Sequence, residues 1–379
     1  MGDAMFGDYW ILTVAALCAG ALMPLAIRAR SIGHDKPGGV QKLHHVATSR
    51  LGGVVVFVAW LAVVAVALAL GQGALAPALP LAIAALPVVL VGLADDLTGH
   101  VRPRYRMGAA VLSAALASVY AGGVIPRLDL SLIDPLLKHL WIALPLTWFM
   151  VAGASNAINL IDGSNGLAGG VALIMFGGIA AAAAWSNDPA TLAEALAVMG
   201  VLVGFLYWNY PRGQVFLGDA GAYFIGFMYA QLAIRLIARN EDLSAWYVIM
   251  LAGYPIVDTL FAMYRRGVVR RSKLMVPDAL HLHSLVFRRV TMPIERRMTT
   301  PSLVRANARV APRLWLHGVL CFALAAVFHD NTPGLWLGLA GYAAFYVNSY
   351  RTLVRFGRKD PKNWPTTRAA DEVKRSEVS

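Results

Sequence analysis

The chain has 379 residues, of which 58% are hydrophobic and 14% are charged, and its mean hydropathy is +0.59. Soluble domains are typically about a quarter charged, so this composition excludes an ordinary soluble enzyme or binding domain. The formal net charge of +12 indicates attraction to anionic lipid headgroups. We do not expect nucleic acid to be a partner.

Apolar segments of about 20 residues, long enough to cross a hydrocarbon layer roughly 30 Å thick, recur along most of the chain. We predict an all-α, polytopic integral membrane protein with about eleven transmembrane helices. No basic stretch precedes the first segment, so we expect it to be retained rather than cleaved as a signal peptide. The predicted segments are 9–27, 51–70, 75–94, 108–124, 139–155, 167–185, 192–208, 215–234, 244–263, 314–329 and 333–350.

The basic residues predict how these helices are oriented. With the N-terminus outside and the C-terminus cytoplasmic, the inside segments hold all but four of the 33 Lys and Arg residues. Such an excess of basic residues is typical of cytoplasmic loops. The four basic residues on or near outside loops are Arg127, Lys138, Arg235 and Arg239.

The inside face is the larger of the two polar faces. The outside loops are short, whereas one long inside loop, 264–313, follows the ninth predicted helix. We predict a single transmembrane domain, 1–350, which includes this loop, and a basic cytoplasmic tail, 351–379. Function is therefore expected on the inside.

Five aspartates stand at predicted inside ends of membrane helices. Ionisable side chains at or within the apolar region are costly and are by default candidates for function. Because five different positions map to one side of the bilayer, we expect one cluster. The five are Asp95, Asp96, Asp162, Asp219 and Asp258.

The stretch NAINLIDGSNGLAGG, residues 156–170, is unusually polar for its apolar surroundings. Asn156, Asn159 and Asp162 are three residues apart and therefore share one helical face. The glycines that follow allow a close approach by a ligand or another helix. The stretch suits binding of a polar ligand at the membrane surface, and the alternative is a small-residue helix-packing motif.

The other aspartates offer both proton-transfer and metal chemistry. Asp95 and Asp96 are neighbours, which suits proton transfer or a metal, although they could also cap a helix facing water. Asp219 lies in VFLGDAGAYFIGF beside glycines, where a divalent ion could reach it. Mg²⁺ typically takes one or two carboxylates plus phosphates and water. The alternative for Asp219 is a helix N-terminal residue favoured by the macrodipole.

Basic and imidazole side chains flank the predicted cluster in two inside loops. The late loop contains His281, His283, Arg288 and Arg289, which suit phosphate contact, although solvated histidines are the alternative. The early loop could clamp a phosphate or a lipid headgroup, or could serve only as topological charge. Its candidates are Lys42, His44, His45 and Arg50.

These motifs together resemble a known enzyme family. NAINLIDGSNGLAGG is similar to the signature of the polyprenyl-phosphate N-acetylhexosamine-1-phosphate transferases, the group of the MraY and WecA types. GLADD, FLGDAG, PIVDT and a His-x-His element occur in the family's order, and KLHHVATSRLGG resembles its early loop. The similarity spans roughly residues 34 to 290. Departures from the family pattern occur at Ala47, Ser49, Asn165 and Ser284.

The resemblance implies transfer of a sugar 1-phosphate from a UDP-N-acetyl sugar to undecaprenyl phosphate, with release of UMP. It implies Mg²⁺, with Mn²⁺ as an alternative, held by Asp219 and Asp96. Asp95 and Asp96 would serve the acceptor phosphate, either by promoting direct attack or through a covalent phosphoryl-aspartate. The choice between these two routes stays open. The implied substrate-binding residues are Asn156, Asn159, Asp162, Asn165, His281, His283 and Arg288, together with Lys42, His44 and Arg50 of the early loop.

The resemblance also implies a place in the cell and leaves alternatives open. We expect the chain to lie in the bacterial inner membrane with its active site on the cytoplasmic face. We also expect it to start O-antigen or other surface polysaccharide synthesis, and we allow for a homodimer. The first alternative is the phospho-MurNAc-pentapeptide transferase of peptidoglycan synthesis. The alternative from another class is a transporter or lipid flippase with a carboxylate relay.

Overall fold

The computed structural model describes residues 9–29, 34–35, 48–269, 280–295 and 299–359. Nearly all of this part of the chain is helical. The long helices are α1 Tyr9–Arg28, α2 Gly52–Ala69, α3 Ala78–Thr98, α4 Pro103–Tyr120, α6 Leu140–Ile161, α7 Leu167–Trp185, α8 Pro189–Asn209, α9 Gly218–Arg239, α14 Val310–Val327 and α15 Thr332–Lys359. The shorter helices are α5 Asp134–Leu137, α10 Ala245–Leu251, α11 Gly253–Tyr264, α12 Leu282–Val286 and α13 Thr300–Ala308.

The predicted apolar segments all coincide with helices in the described residues. Within the described ranges, eight helical segments are long and apolar enough to cross a membrane, and the bent pair α10 and α11 would make a ninth. Helices α4 and α15 do not meet that criterion. The chain is therefore an all-α, polytopic membrane protein, as predicted, and the number of eleven spans stays a prediction.

The segment 244–263, predicted as one span, consists of two helices. Helices α10 and α11 meet at Ala252 with a bend of 74°. Pro255 has no backbone N–H, so it cannot donate to the carbonyl of Leu251 and continue the ladder of α10. Proline is instead tolerated in the first turn of a new helix, where α11 begins. The bend directs α11 and its Asp258 toward the late loop.

Helix α9 is the centre of the bundle. Every residue from Gly218 to Ile237 is buried, and α2, α3, α6 and α7 all pack against this helix. Small residues allow the close approach: a Cβ added to Gly53 of α2 would lie 2.1 Å from the backbone nitrogen of Gly221, and one added to Gly92 of α3 would lie 2.5 Å from Cα of Ala220. Packing of this kind stabilises helix pairs where no water is present.

The chain around a short strand pairs with the residues just before α9. Strands β1, His34–Asp35, and β2, Thr48–Ser49, pair antiparallel. The chain after β2 continues the backbone pairing, because Phe216 N–H donates to the Ser49 carbonyl at 2.8 Å and Gly53 N–H donates to the Leu217 carbonyl at 2.8 Å. Arg50 lies between these contacts and is thereby fixed beside the N-terminus of α9.

A buried ion pair joins α8 and α9 near the opposite end of α9. Arg235 Nη1 contacts Glu194 Oε1 at 2.6 Å and Oε2 at 2.9 Å, and Nη2 donates to the Pro77 carbonyl at 2.8 Å. Only 1% of Glu194 is exposed. A carboxylate at such a depth needs its partner, because an unpaired buried charge is strongly destabilising.

We expect Arg235→Leu to lower the free energy of unfolding by about 3–5 kcal/mol, because it leaves Glu194 buried and unpaired. The double variant Arg235→Leu/Glu194→Leu should recover most of that loss. Thermal unfolding in detergent, followed by tryptophan fluorescence, measures both. Arg239→Leu is the matched control, because the Arg239 side chain is 41% exposed beside Asp188 and its loss should matter less. Equal effects of the two single variants would contradict the role of Arg235 as the required partner of buried Glu194.

Candidate functional site

Asp219, the second residue of α9, is held by three side chains from different elements. Its Oδ1 accepts hydrogen bonds from Arg50 Nη2 at 3.2 Å and from Asn159 Nδ2 at 3.0 Å. Its Oδ2 forms a close ion pair with Arg106 Nη1. Asp219 is only 4% exposed. The early loop, α4 and α6 therefore all converge on the start of the central helix.

Asp96 caps this helix from α3. Its Oδ1 accepts from the backbone N–H of Asp219 at 2.8 Å, and its Oδ2 accepts from that of Ala220 at 3.0 Å. Arg50 Nε lies 3.3 Å from Asp96 Oδ1. A carboxylate is favoured at a helix N-terminus, where the first N–H groups have no partner within the helix. Asp96 thus fixes the position from which Asp219 projects.

Asp95 shares a cationic partner with Asp219. Its Oδ1 accepts from the backbone N–H of Val101 at 2.9 Å, and its Oδ2 lies 3.1 Å from Arg106 Nη1. The same Arg106 nitrogen contacts Asp219 Oδ2. Two carboxylate oxygens from different helices therefore meet at one point where a positive charge is already accommodated.

Asn159 and Asp162 bring the polar stretch of α6 to the same end of the bundle. Asn159 contacts Asp219, as described above, and Asn156 Oδ1 lies 3.5 Å from the hydroxyl of Tyr223. Asp162 follows the last residue of α6. Burial raises its pKa to about 7, although the Arg50 charge acts to lower it and the Asp219 charge to raise it. Asp162 is therefore within electrostatic reach of the cluster.

Asn165 lies in a structural network rather than against the aspartates. Its backbone N–H donates to Asn307 Oδ1 at 2.7 Å, and its Nδ2 donates to the Pro211 carbonyl at 3.2 Å. The next backbone N–H, of Gly166, donates to Asn209 Oδ1 at 2.6 Å. These contacts join the turn after α6 to α8 and α13. The predicted contact of Asn165 with the nucleotide stays a prediction.

The two histidines of the late loop form a second polar cluster. His281 Nδ1 lies 2.7 Å from Asp258 Oδ2, and the His281 and His283 rings stack with centroids 5.7 Å apart. Both residues are buried, and burial lowers the pKa of His283 to about 3, which keeps that imidazole neutral. Among the described residues, His281 Nε2 and His283 Nδ1 have no hydrogen-bond partner. Buried polar atoms without partners are rare in native proteins and are candidates for ligand contact.

The histidine cluster touches the polar stretch of α6. A Cβ added to Gly163 would lie 2.2 Å from His283 Nε2, so only glycine fits beside this ring. Arg288 is close enough to His283 to affect its titration. Both clusters therefore lie close to the turn after α6.

Most of the predicted site residues thus come together at one end of the bundle. Asp95, Asp96, Asp219, Asn159 and Arg50 are in direct contact or share a partner. Lys42 and His44 lie outside the described residues. The roles of all these residues in substrate or metal binding stay predictions.

Arg106 and Tyr346 contact aspartates of the predicted set but were not identified from the sequence as site residues. Arg106 in VRPRYR was read only as topological charge, although a basic residue shortly after an aspartate pair could have been a signal. Tyr346 of α15 donates to Asp258 Oδ1 at 2.5 Å. Nothing in its apolar helix distinguishes it in the sequence from the other tyrosines.

The side chains that meet at Asp219 form what we call the Asp219 cluster: Arg50, Asp95, Asp96, Arg106, Asn159 and Asp219. Its carboxylate oxygens suit a hard divalent cation, and phosphates of a substrate would have to complete the ligand set. Within the described ranges, no three His, Cys, Asp or Glu side chains cluster so as to hold a metal. Two carboxylates that meet at a cationic position nevertheless match Mg²⁺, which takes its remaining ligands from phosphates and water. Arg106 Nη1 takes the place of such a cation between Asp95 and Asp219.

Comparison with known proteins identifies the family to which the chain belongs. The model of glycosyl transferase family 4 matches residues 78–237, which contain the Asp95–Asp96 pair, the polar stretch and Asp219. A probable undecaprenyl-phosphate N-acetylglucosaminyl 1-phosphate transferase of Bacillus subtilis (strain 168) is 30% identical over 255 residues, covering 66% of this chain and 68% of that protein.

Two phospho-N-acetylmuramoyl-pentapeptide-transferases are similarly related. The protein from Frankia casuarinae is 30% identical over 62% of this chain and 75% of its own length. The protein from Synechococcus sp. (strain JA-3-3Ab) is 31% identical over 71% of this chain and 80% of its own length. The chain therefore belongs to glycosyl transferase family 4, in the group of the MraY and WecA types, and is a membrane-bound phospho-sugar transferase.

Proposed function

We propose that the chain transfers a sugar 1-phosphate from a UDP-N-acetylhexosamine to undecaprenyl phosphate, releasing UMP. The observation that carries this proposal is the contact of Arg50 and Arg106 with Asp95, Asp96 and Asp219 at one helix end. Guanidinium groups recognise phosphate by paired hydrogen bonds, and both proposed substrates are phosphate-rich anions. The similarity to the Bacillus subtilis N-acetylglucosaminyl 1-phosphate transferase supports this donor class.

The reaction we favour is direct attack. An oxygen of the acceptor phosphate forms a bond to the β-phosphorus of the donor, the bond from this phosphorus to the bridging oxygen breaks, and UMP leaves with the electron pair. An ionised phosphate needs no base to become nucleophilic. The main tasks of the protein are therefore to align two anions and to offset their repulsion.

The Asp219 cluster is suited to these tasks. Arg50 and Arg106 supply two positive charges, and Asn159 and Asp96 fix the orientation of Asp219 through the contacts described above. If Asp95, Asp96 and Asp219 are all ionised, the cluster carries three negative charges against two positive ones. The remaining negative charge and the converging oxygens favour a bound cation.

Mg²⁺, with Mn²⁺ as an alternative, is the proposed cofactor, and it would spread the charge on the diphosphate and on the leaving UMP. Asp219 and Asp95 would hold the ion, because their oxygens already meet at a positive charge. We retain Asp96 as a further candidate, although its oxygens accept from the N-terminus of α9 and from Arg50. Arg106 would then be released from the carboxylates to contact phosphate.

Residues around the cluster would bind the donor. We assign Asn156, Asn159 and Asp162 to the nucleotide sugar, because the two asparagines lie on one face at the end of α6 and Asp162 directly follows this helix. His281, His283 and Arg288 would contact its diphosphate, for which the partnerless ring nitrogens give support. Lys42, His44 and Arg50 of the early loop would offset further negative charge, and Asn165 would lie near the base.

The membrane arrangement we propose follows the charge distribution. Eleven spans with an outside N-terminus would bring the Asp219 cluster to the cytoplasmic face of a bacterial inner membrane. Residues 1–350 would form one transmembrane transferase domain that includes the loop 264–313, followed by the basic tail 351–379. The product would be the first lipid-linked sugar of an O-antigen or another surface polysaccharide.

Asp219→Ala should lower UMP release from UDP-N-acetylglucosamine and polyprenyl phosphate at least about a hundredfold, because it removes a principal electrostatic group of the site. Asp219→Asn, which keeps the shape of the side chain, should be similarly impaired. Asp242→Ala is the matched control, because Asp242 is exposed just beyond the other end of α9. Normal turnover by either Asp219 variant, at equal amounts of folded protein, would contradict the assigned role.

Removal of divalent cations should abolish UMP release. EDTA is expected to stop the reaction and added Mg²⁺ or Mn²⁺ to restore it, because the converging carboxylates repel the phosphate substrates and a divalent cation is needed to offset the combined negative charge. Detergent-purified protein with a continuous assay for UMP measures this. Full activity in excess EDTA would exclude the proposed cofactor.

A panel of donor substrates distinguishes the two candidate activities, transfer from a UDP-N-acetylhexosamine and transfer from UDP-MurNAc-pentapeptide. UDP-N-acetylhexosamines should support UMP release, whereas UDP-MurNAc-pentapeptide should be at least about tenfold poorer in kcat/KM if the pocket is built for the unsubstituted sugar. The two donors are compared side by side with the same polyprenyl phosphate. The opposite preference would assign the chain to the peptidoglycan branch, which the similarity to the Frankia and Synechococcus proteins keeps as the second candidate.

A further inference from the structure

We propose that Tyr346, on the last helix α15, is a positioning residue for the donor site and acts on His281 through Asp258. Tyr346 lies well beyond residues 78–237, which the family model matches. The proposal rests on the assignment of His281 to the donor diphosphate in the proposed function. It adds the C-terminal helix to the elements that determine donor binding.

The three side chains form a continuous hydrogen-bonded chain. The Tyr346 hydroxyl donates to Asp258 Oδ1 at 2.5 Å, and Asp258 Oδ2 lies 2.7 Å from His281 Nδ1. The backbone N–H of Leu282 also points to Asp258 Oδ1, at 3.4 Å. Asp258 and Tyr346 are each 1% exposed and His281 is 4% exposed. Water therefore does not compete for these bonds.

This arrangement leaves Nε2 of His281 directed away from the hydrogen-bonded chain of Tyr346, Asp258 and His281. An ionised carboxylate only accepts hydrogen bonds, so the contact with Asp258 places the proton of His281 on Nδ1. The opposite nitrogen, Nε2, is buried and has no partner among the described residues. A histidine whose ring is oriented through its other nitrogen is the usual arrangement where imidazole contacts a ligand or a reacting group.

Tyr346 determines which way the carboxylate faces. Its bond to Oδ1 leaves Oδ2 for His281, whereas a carboxylate without this bond could rotate about its terminal torsion, which is broad. Rotation would tilt the His281 ring and, through their stacking, the ring of His283. The hydroxyl of Tyr346 thus acts on groups that it does not touch.

Neighbouring contacts show that α15 is part of the site rather than only a lipid-facing span. Arg265 Nη1 contacts both the Tyr350 hydroxyl and the carbonyl of Leu280, the residue before His281. Arg289 Nη1 contacts the carbonyl of Leu353, one turn further along α15. The C-terminal third of α15 therefore docks onto both ends of the segment 280–289, which carries the two histidines, and Tyr346 adds a contact from this helix to Asp258.

Tyr346→Phe removes the hydroxyl and keeps the ring, which packs edge-on against Phe261 with centroids 5.7 Å apart. Tyr342→Phe is the matched control. Tyr342 lies one turn earlier on α15, is equally buried, and its hydroxyl bonds His317 Nδ1 at 3.1 Å instead of Asp258. Each variant therefore loses one buried tyrosine hydroxyl from the same helix.

We expect Tyr346→Phe to raise the KM for the UDP-sugar about tenfold, the scale of losing a hydrogen bond to a charged group. The kcat and the KM for polyprenyl phosphate should change less than about twofold, because only donor binding depends on His281. Isothermal titration calorimetry with UDP-N-acetylglucosamine should show the same loss in Kd without turnover. Tyr342→Phe should leave all these values close to those of the unmodified protein.

A double-mutant cycle tests whether Tyr346 acts through His281. In a His281→Ala background, Tyr346→Phe should cause no further rise in KM or Kd, because the ring that it positions is gone. The proposal is overturned if Tyr346→Phe leaves donor binding unchanged, if it has the same effect with and without His281, or if Tyr342→Phe matches it. Absence of UMP release from the unmodified protein would instead refute the proposed function, and calorimetry would still test the Tyr346 proposal through donor affinity.

Discussion

The capping of α9 by Asp96 is the interaction on which the rest of the site depends. Two backbone N–H groups at the start of a fully buried helix have no partner within the helix, and the carboxylate of a neighbouring helix satisfies both. This contact joins α3 to α9 and sets the position of Asp219. Because α9 is surrounded by helices along its length, an error in its placement would displace every group that converges on it.

Charge balance explains why so many ionisable groups can share this end of the bundle. A carboxylate removed from water is costly unless it is paired and hydrogen-bonded. Asp95, Asp96 and Asp219 meet that requirement through two arginines, one asparagine and three backbone N–H groups. If all three aspartates are ionised, the two arginines leave one negative charge, which would suit the cation proposed above. Glu194 and Arg235, at the other end of α9, are by contrast a closed pair with a structural role.

The broken span and the last helix give the histidine cluster a different construction. Its carboxylate comes from α11, which begins at the 74° bend, and its imidazoles, His281 and His283, lie at the start of the short helix α12 within the loop 264–313. A loop segment is usually more mobile than the helices it joins. Here Tyr346, Tyr350 and Leu353 of α15 contact Asp258, Arg265 and Arg289, so that a long helix restrains the segment that carries the two histidines.

The sequence by itself determined the membrane character and the approximate helix positions, because apolar length and local spacing are properties of neighbouring residues. It predicted one cluster of five aspartates, and the structure corrects this for Asp258, which lies with His281 and Tyr346 instead. The resemblance also predicted that Asp95, Asp96, Asn159, Asp219 and Arg50 come together, since their motifs occur in a family order, and the structure places them in contact. Only the tertiary structure decided that Asp96 caps α9, that Arg106 bridges Asp95 and Asp219, and that Tyr346 reaches Asp258 across 88 positions of the chain. Such contacts depend on how helices pack against one another, and a tyrosine or arginine in an ordinary helical pattern carries no local signal of a partner so distant in sequence.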